Sequence, residues 1–513
     1  MELKFEKRGI PYVKPLLQEV QAQEQTQELR LTEGMPDVGR VLGTWGQVIL
    51  RGKEWRGDQV ACNGGVMAFV LYAPEDGSAP KVLDSWIPFQ MKWNLEDGHR
   101  DGEIRVQPLM RFLDARSVSP RKLMLRCGIS ALGEAWRQET AMAAVPGEVP
   151  EDVQLLKNRY PLRFPRAVGE KTFQLEESLP LPGDVREIIS YCMTPRLSEL
   201  RFLSGKLVLR GSAMVHLVYL DGEGRVTGRD LEIPISQLAE PEGAFSPDAQ
   251  GSAILAVTSL EAELEEGNQL RVKAGLAAQY LADDREILEL VEDVYSNKRQ
   301  VEPEMEELDL RGILEQKQVP VPVRQTIRQS AGQIADVTYL PDFPVLRRNE
   351  GLQAELPGMF QVLSYDENGV LSGTTARTEE NWDMPLGEEA RGTANILPGS
   401  SPTALGGSGI ELKGESVLSL QTTARRGLEM VTGLKLGEEQ ELAPNRPSLI
   451  LRRAGSQNLW NIAKSTGSTV AAIRKANALE GEPVESQILL IPVSLKKRLI
   501  RAAFLHVFSV SNR

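Results

Sequence analysis

The chain has 513 residues, 41% hydrophobic and 25% charged, too many for one hydrophobic core and enough for three to five domains. Its 45 glycines and 31 prolines favour many short strands and turns over long helices. The net charge of −12 is uneven: 446–493 has six Lys/Arg against three Asp/Glu, 494–513 has five Lys/Arg and no acid, and the remaining 445 residues carry −20. An acidic body with a basic end invites an acidic partner at the C-terminus.

Met1 to Gly9 lacks the apolar core of a secretory signal, and no apolar run reaches 18 residues, so neither export nor a membrane-spanning helix is expected. Cys62, Cys127 and Cys192 are odd in number, far apart and without CxxC spacing, which fits a reducing compartment. The Gln/Glu-rich stretch Gln18 to Glu28 reads as an exposed helix or linker, making 1–27 an N-terminal segment.

A weak repeat follows, with a period near 147 residues. Its marker is an apolar strand ending in tyrosine and running into a turn: Val70-Leu71-Tyr72 before Pro74 to Gly77, Leu217-Val218-Tyr219 before Asp221 to Gly224, and Val362 to Tyr365 before Asp366 to Gly369. Each marker predicts a β-hairpin whose Gly/Asp/Asn loop tolerates positive φ. Ile87-Pro88-Phe89 and Ile233-Pro234-Ile235 keep step with it, as do Leu123 to Ile129 and Leu270 to Leu276. The third copy is weaker, with Gly409 to Gly414 as its counterpart. Gly211, inside an alternating strand, predicts a bulge or bend. The fold class expected is mainly β: three tandem sandwich- or barrel-like repeat domains at 28–145, 171–299 and 326–440 (the last degenerate). Proline-rich linkers or straps at 146–170 and 300–325 would separate them.

The stretch 446–493 predicts a small α+β module of order βααβ. Leu449-Ile450-Leu451 opens it, and Gly455-Ser456-Gln457-Asn458 supplies a turn and a helix cap. A helix starts at Leu459, Ser468-Thr469 caps a second that Asn477 ends, and Ile488 to Pro492 closes the module. The string G-x-x-x-L-W-x-I-A-K, then T-V-A-A-I-x-K-A-N, then I-L-L-I-P resembles the LysM domain. LysM domains commonly bind N-acetylglucosamine polymers through their two strand–helix turns. Here the first turn is one residue longer than the usual Gly-Asp-Thr and lacks its acid. The binding residues implied are Gly455, Ser456, Gln457, Asn458 and Trp460, with Ala476, Asn477, Ala478 and Leu479. A Trp at this helix position is expected to pack its ring in the core, with a partner touching the turn around it.

Three β-rich repeats before one LysM resemble the SipL-like spore-coat morphogenetic proteins, whose repeats are called SPOCS domains and which are functional counterparts of SpoVID. The resemblance implies a scaffold in the mother-cell cytoplasm, at the forespore surface. Its LysM would bind the coat ATPase SpoIVA, and its repeats other coat proteins; the alternative is a wall protein that holds peptidoglycan. The tail 494–513 alternates basic and apolar residues. It reads equally as a peripheral contact with an anionic membrane or as a segment folded back on the module.

No catalytic constellation emerges. His99, His216 and His506 have no metal-ligand spacing, His216 reads as a satisfied core histidine, and no phosphate-loop glycine motif occurs. The expectation is a non-enzyme with no cofactor, no metal and no nucleic-acid partner.

Overall fold

The computed structural model describes residues 1–96, 101–348, 352–384, 391–440 and 447–493. Each tyrosine marker ends the central strand of a three-stranded meander. The first copy contains β2 (Glu6–Arg30), β3 (Val38–Arg56), β4 (Gln59–Pro74), β5 (Lys81–Asn94), β6 (Glu103–Ser119) and β7 (Lys122–Val145), after a short β1 (Glu2–Lys4). The second contains β8 (Val153–Pro180), β9 (Val185–Leu203), β10 (Lys206–Asp221), β11 (Val226–Ala239), β12 (Gln250–Glu265) and β13 (Gln269–Ser296). In the third, two of the six strands are split: β14 (Arg299–Ile327), β15 (Gln333–Pro341) with β16 (Val345–Arg348), β17 (Leu352–Tyr365), β18 (Leu371–Met384), β19 (Arg391–Pro398) with β20 (Thr403–Leu405), and β21 (Ile410–Glu439).

One plan serves all three copies. The second, third and fourth strands form an antiparallel meander, and the long last strand pairs with the long first strand on one side and the fifth on the other. The third copy is therefore complete. The sheets are small, open and antiparallel. The expected hairpin turns are present, with Gly77, Gly224 and Gly369 at φ +76°, +81° and +75°. In the second and third, an aspartate (Asp221, Asp366) accepts from the backbone N–H groups two and four residues on. The bulge expected near Gly211 lies opposite it: Arg210 pairs with Glu199 and Gly211 with Leu197. A Cβ at Gly211 would collide with the Arg196 carbonyl, so only glycine permits this approach.

Three expected linkers are strands. Gln18 to Glu28 lies inside β2, which pairs with β7 from Glu6↔Val145 to Arg30↔Lys122, so most of 1–27 belongs to the first copy. The 146–170 strap is largely β8, and the 300–325 strap is β14. These are the long first strands, and each lies at the end of its sheet's order. Proline is tolerated on such a strand, where its missing N–H breaks no ladder on the outer side, so Pro161, Pro165, Pro320 and Pro322 are compatible with pairing.

The copies share their interior. Within the first, Val60, Val66 and Trp93 of the meander meet Leu123, Leu125, Cys127 and Ile129 of β7 in one core. The ends of the long strands extend beyond these heads, and there Phe5 and Ile10, Phe164 and Leu290, and Leu310 and Leu434, two from each copy, bury one another in a common trunk. The heads meet in a second joint core containing Leu42, Ile189 and Ala335. These three are the unpaired residues of three β-bulges, spaced 147 and 146 residues apart like the tyrosines. A bulge turns its extra side chain away from the ladder, and here each turns an apolar one toward the other copies. β1 pairs with β21, joining the first copy to the last.

Among the described residues two helices occur, both after the third copy. β22 (Leu449–Arg453) and β23 (Ile488–Pro492) pair antiparallel and enclose α1 (Leu459–Thr466) and α2 (Val470–Asn477) in sequence. No helix among the described residues is long and apolar enough to cross a membrane. The tail 494–513, with His506, and His99 lie outside the described residues.

Candidate functional site: the C-terminal module and its dock

The module is organised by its caps. Asn458, in extended conformation, accepts from the Asn461 N–H and starts α1; Thr469 accepts from the Ala472 N–H and starts α2. Gly467 and Ala478 end the helices in the left-handed conformation, at φ 67° and 52°. Leu459, Ile462, Ala463, Ile473, Leu489 and Ile491 are buried between helices and strands. The first turn takes its shape from Gly455 at φ +62°. The Gly455 N–H donates to the Glu485 carbonyl, which holds this turn against the loop that follows Leu479.

No acidic residue stands in the first turn of α1. Glu482 fills that role from 23 residues away: its Oε2 accepts from the Leu459 N–H at 2.7 Å, where a helix N-terminus favours negative charge. This partner escaped the sequence reading because only the folded loop brings it to α1.

The predicted binding residues separate into two groups. Ser456, Gln457 and Asn458 are exposed, with Gln457 accepting from Arg452 at 2.5 Å. Asn477 is structural: its Nδ2 donates to the carbonyls of Ile473 and Leu490, and its Oδ1 accepts from the Leu490 N–H, tying α2 to β23. Leu479 packs against the module core, beside Ala478. On the outer side of the strands Leu449, Leu451 and Ile488 are exposed, Leu451 by 72%.

Trp460 is buried, but the module's own core does not account for its contacts. Its ring meets Tyr295 of β13 edge-on at 4.8 Å, and its Nε1–H donates to Asp293 Oδ2 at 2.7 Å. The Lys464 ammonium lies 2.8 Å from both oxygens of that carboxylate. The Tyr295 hydroxyl donates to the Ser468 carbonyl at 3.0 Å. Burial acts to raise the Asp293 carboxyl, but Lys464 and the Trp460 N–H outweigh it, so the net shift is downward. The Tyr295 phenol is pushed up to about 12 by burial and by the Asp293 charge. Asp293, Tyr295, Lys464 and Ser468 were not legible as a site, because the dock unites residues more than 160 positions apart.

A second polar cluster lies where the heads meet. His216 on β10 points Nδ1 at Asp230 Oδ1 (2.7 Å) and Nε2 at Asp336 Oδ1 (2.9 Å). The Trp45 Nε1–H donates to the other Asp336 oxygen at 2.8 Å, so all three copies contribute. Burial acts to lower the His216 pKa, but Asp336 and Asp230 outweigh it and push it up to about 10. Cys192 pairs with His216 across the β9–β10 ladder. Burial, then the Asp336 charge, push its thiol up to about 12. Both ring nitrogens of His216 face carboxylates, which leaves neither to take a thiol proton. Asp336 and Trp45 also line a cleft of about 920 Å³ between the first and third copies, together with Arg111, Asp342 and Thr378. Among the described residues no group of three His, Cys, Asp or Glu is placed to hold a metal ion.

Comparison with protein-family models, with curated proteins and with solved structures returns no match to the chain.

Proposed function

We propose that the protein is a non-catalytic scaffold of spore-coat assembly, of the SipL type. Its C-terminal module is a LysM-type domain that binds a SpoIVA-like coat ATPase, and its three SPOCS-like copies hold further coat proteins. It works in the mother-cell cytoplasm, at the forespore surface. The observation that carries this reading is the fit of sequence to element in the module. The LysM-like strings fall on α1, α2 and β23 in order, with Ser456, Gln457 and Asn458 of the first turn exposed. The exposed Leu449, Leu451 and Ile488 support a protein partner, because a clustered apolar surface marks a contact with another macromolecule more readily than with a sugar.

The test is a pull-down from sporulating cells with the full chain, with a chain ending at residue 445, and with Leu451→Glu. A coat ATPase retained by the full chain and lost from the other two is the expected outcome. Equal capture by all three sinks the reading. Co-sedimentation of the full chain with purified peptidoglycan, without ATPase capture, would establish the wall-binding alternative instead.

A further inference from the structure

The side of the C-terminal module that carries Trp460 is occupied from within the chain, by the trunk end of the second copy. A bulge sets up the contact: Val291 pairs with Lys157 and Asp293 with Leu156, leaving Glu292 without a partner in the ladder. Such an insertion re-aims the side chains beside it. Asp293 receives both the Trp460 indole N–H and the Lys464 ammonium, and Tyr295, itself 5% exposed, covers the edge of the ring and reaches Ser468. The grip therefore falls on α1 and on the entry to α2, and leaves Leu451 and Ile488 uncovered. It is particular to the second copy. At the repeat's spacing, Pro146 and Glu148 stand in the first copy and Glu439 and Glu441 in the third, none able to supply this carboxylate–phenol pair at both positions.

We propose that the trunk end of the second copy is an intramolecular latch: Asp293 and Tyr295 cover the Trp460 side of the module, and a ligand that uses this side must first displace them. The latch does not depend on what the module binds, and its test needs no ligand. In hydrogen exchange on the full chain, Asp293→Lys should accelerate the amides of 459–468 about tenfold or more, the equivalent of one charge-assisted hydrogen bond. The strands 449–453 and 488–492 should keep their protection, and Asp293→Lys with Lys464→Asp should restore slow exchange in 459–468. Unchanged exchange in Asp293→Lys would overturn the latch. So would equal loss of protection across 449–492, which would make the contact a requirement for folding rather than a cover, and so would failure of the double exchange to restore the slow rate.

Discussion

His216 shows most plainly what a single residue contributes here. A protonated imidazole between Asp230 and Asp336, with Trp45 on the second Asp336 oxygen, joins the three copies at one point, where Asp336 and Trp45 are buried and His216 is half-buried. Removing one member strands the others, so Asp336→Ala should cost about 3–5 kcal/mol in chemical denaturation. The pH dependence follows from a folded pKa raised to about 10. The stabilisation is complete below the unfolded value near 6.5 and is lost as pH climbs through the folded value. Wild-type stability should therefore decline between about pH 6.5 and 10 relative to His216→Gln, and parallel curves would contradict the ion-pair account. The sequence supported a satisfied histidine in a strand, but not its carboxylates, one of which lies 120 positions away in another copy. Asn477 teaches the converse. It was legible as a turn residue of the LysM-like string, yet its amide is spent on Ile473 and Leu490. Asn477→Ala should destabilise the module by roughly 1–3 kcal/mol, visible as faster exchange in β23, so lost binding in that variant would not report a contact.

Elements were legible where their signal was local. Hairpin turns, the two caps of the module and the apolar alternation of β10 around Gly211 all come from residues within a few positions of one another. Asn458→Ala should therefore cost about 1 kcal/mol of module stability by exposing the first N–H groups of α1, measurable by denaturation of the full chain followed at α1 amides. The long first strands were missed for an equally physical reason. As β2, β8 and β14 lie at the ends of their sheets, they tolerate proline and polar side chains that a central strand would not, and so they read as linkers. The dock is likewise an element property, carried by the bulged end of β13. Because the Asp293 carboxyl is held below its usual range, the dock's contribution should persist through neutral pH. It should fail only as pH falls below about 4, which exchange of α1 measured across that range would reveal.

For the whole molecule, the decisive fact is that the three copies are joined by shared interiors in addition to the core each has of its own. The trunk draws on all of them and so does the core where the heads meet. Calorimetry should accordingly show residues 1–440 unfolding in one transition rather than three. Phe164, fully buried in the trunk, provides the probe: Phe164→Ala should remove about 3–5 kcal/mol and lower that single transition, whereas three resolved peaks with only one displaced would refute a shared core. The core of the C-terminal module takes in Tyr295 and Leu156 from the second copy, so exchange of α1 should be coupled to that end of the trunk.

The sequence by itself determined the threefold repetition, the hairpin at each tyrosine, the positions that need glycine and the order of strands and helices near the C-terminus. These depend on periodicity, on φ preferences and on capping, which act over a few residues and leave their mark in local composition. Only the tertiary structure decided that supposed linkers are paired strands, that bulged Leu42, Ile189 and Ala335 converge, that Glu482 completes α1, and that Trp460 faces Asp293 and Tyr295. Those outcomes depend on surfaces from distant parts of the chain burying one another, and burial is indifferent to separation along the sequence.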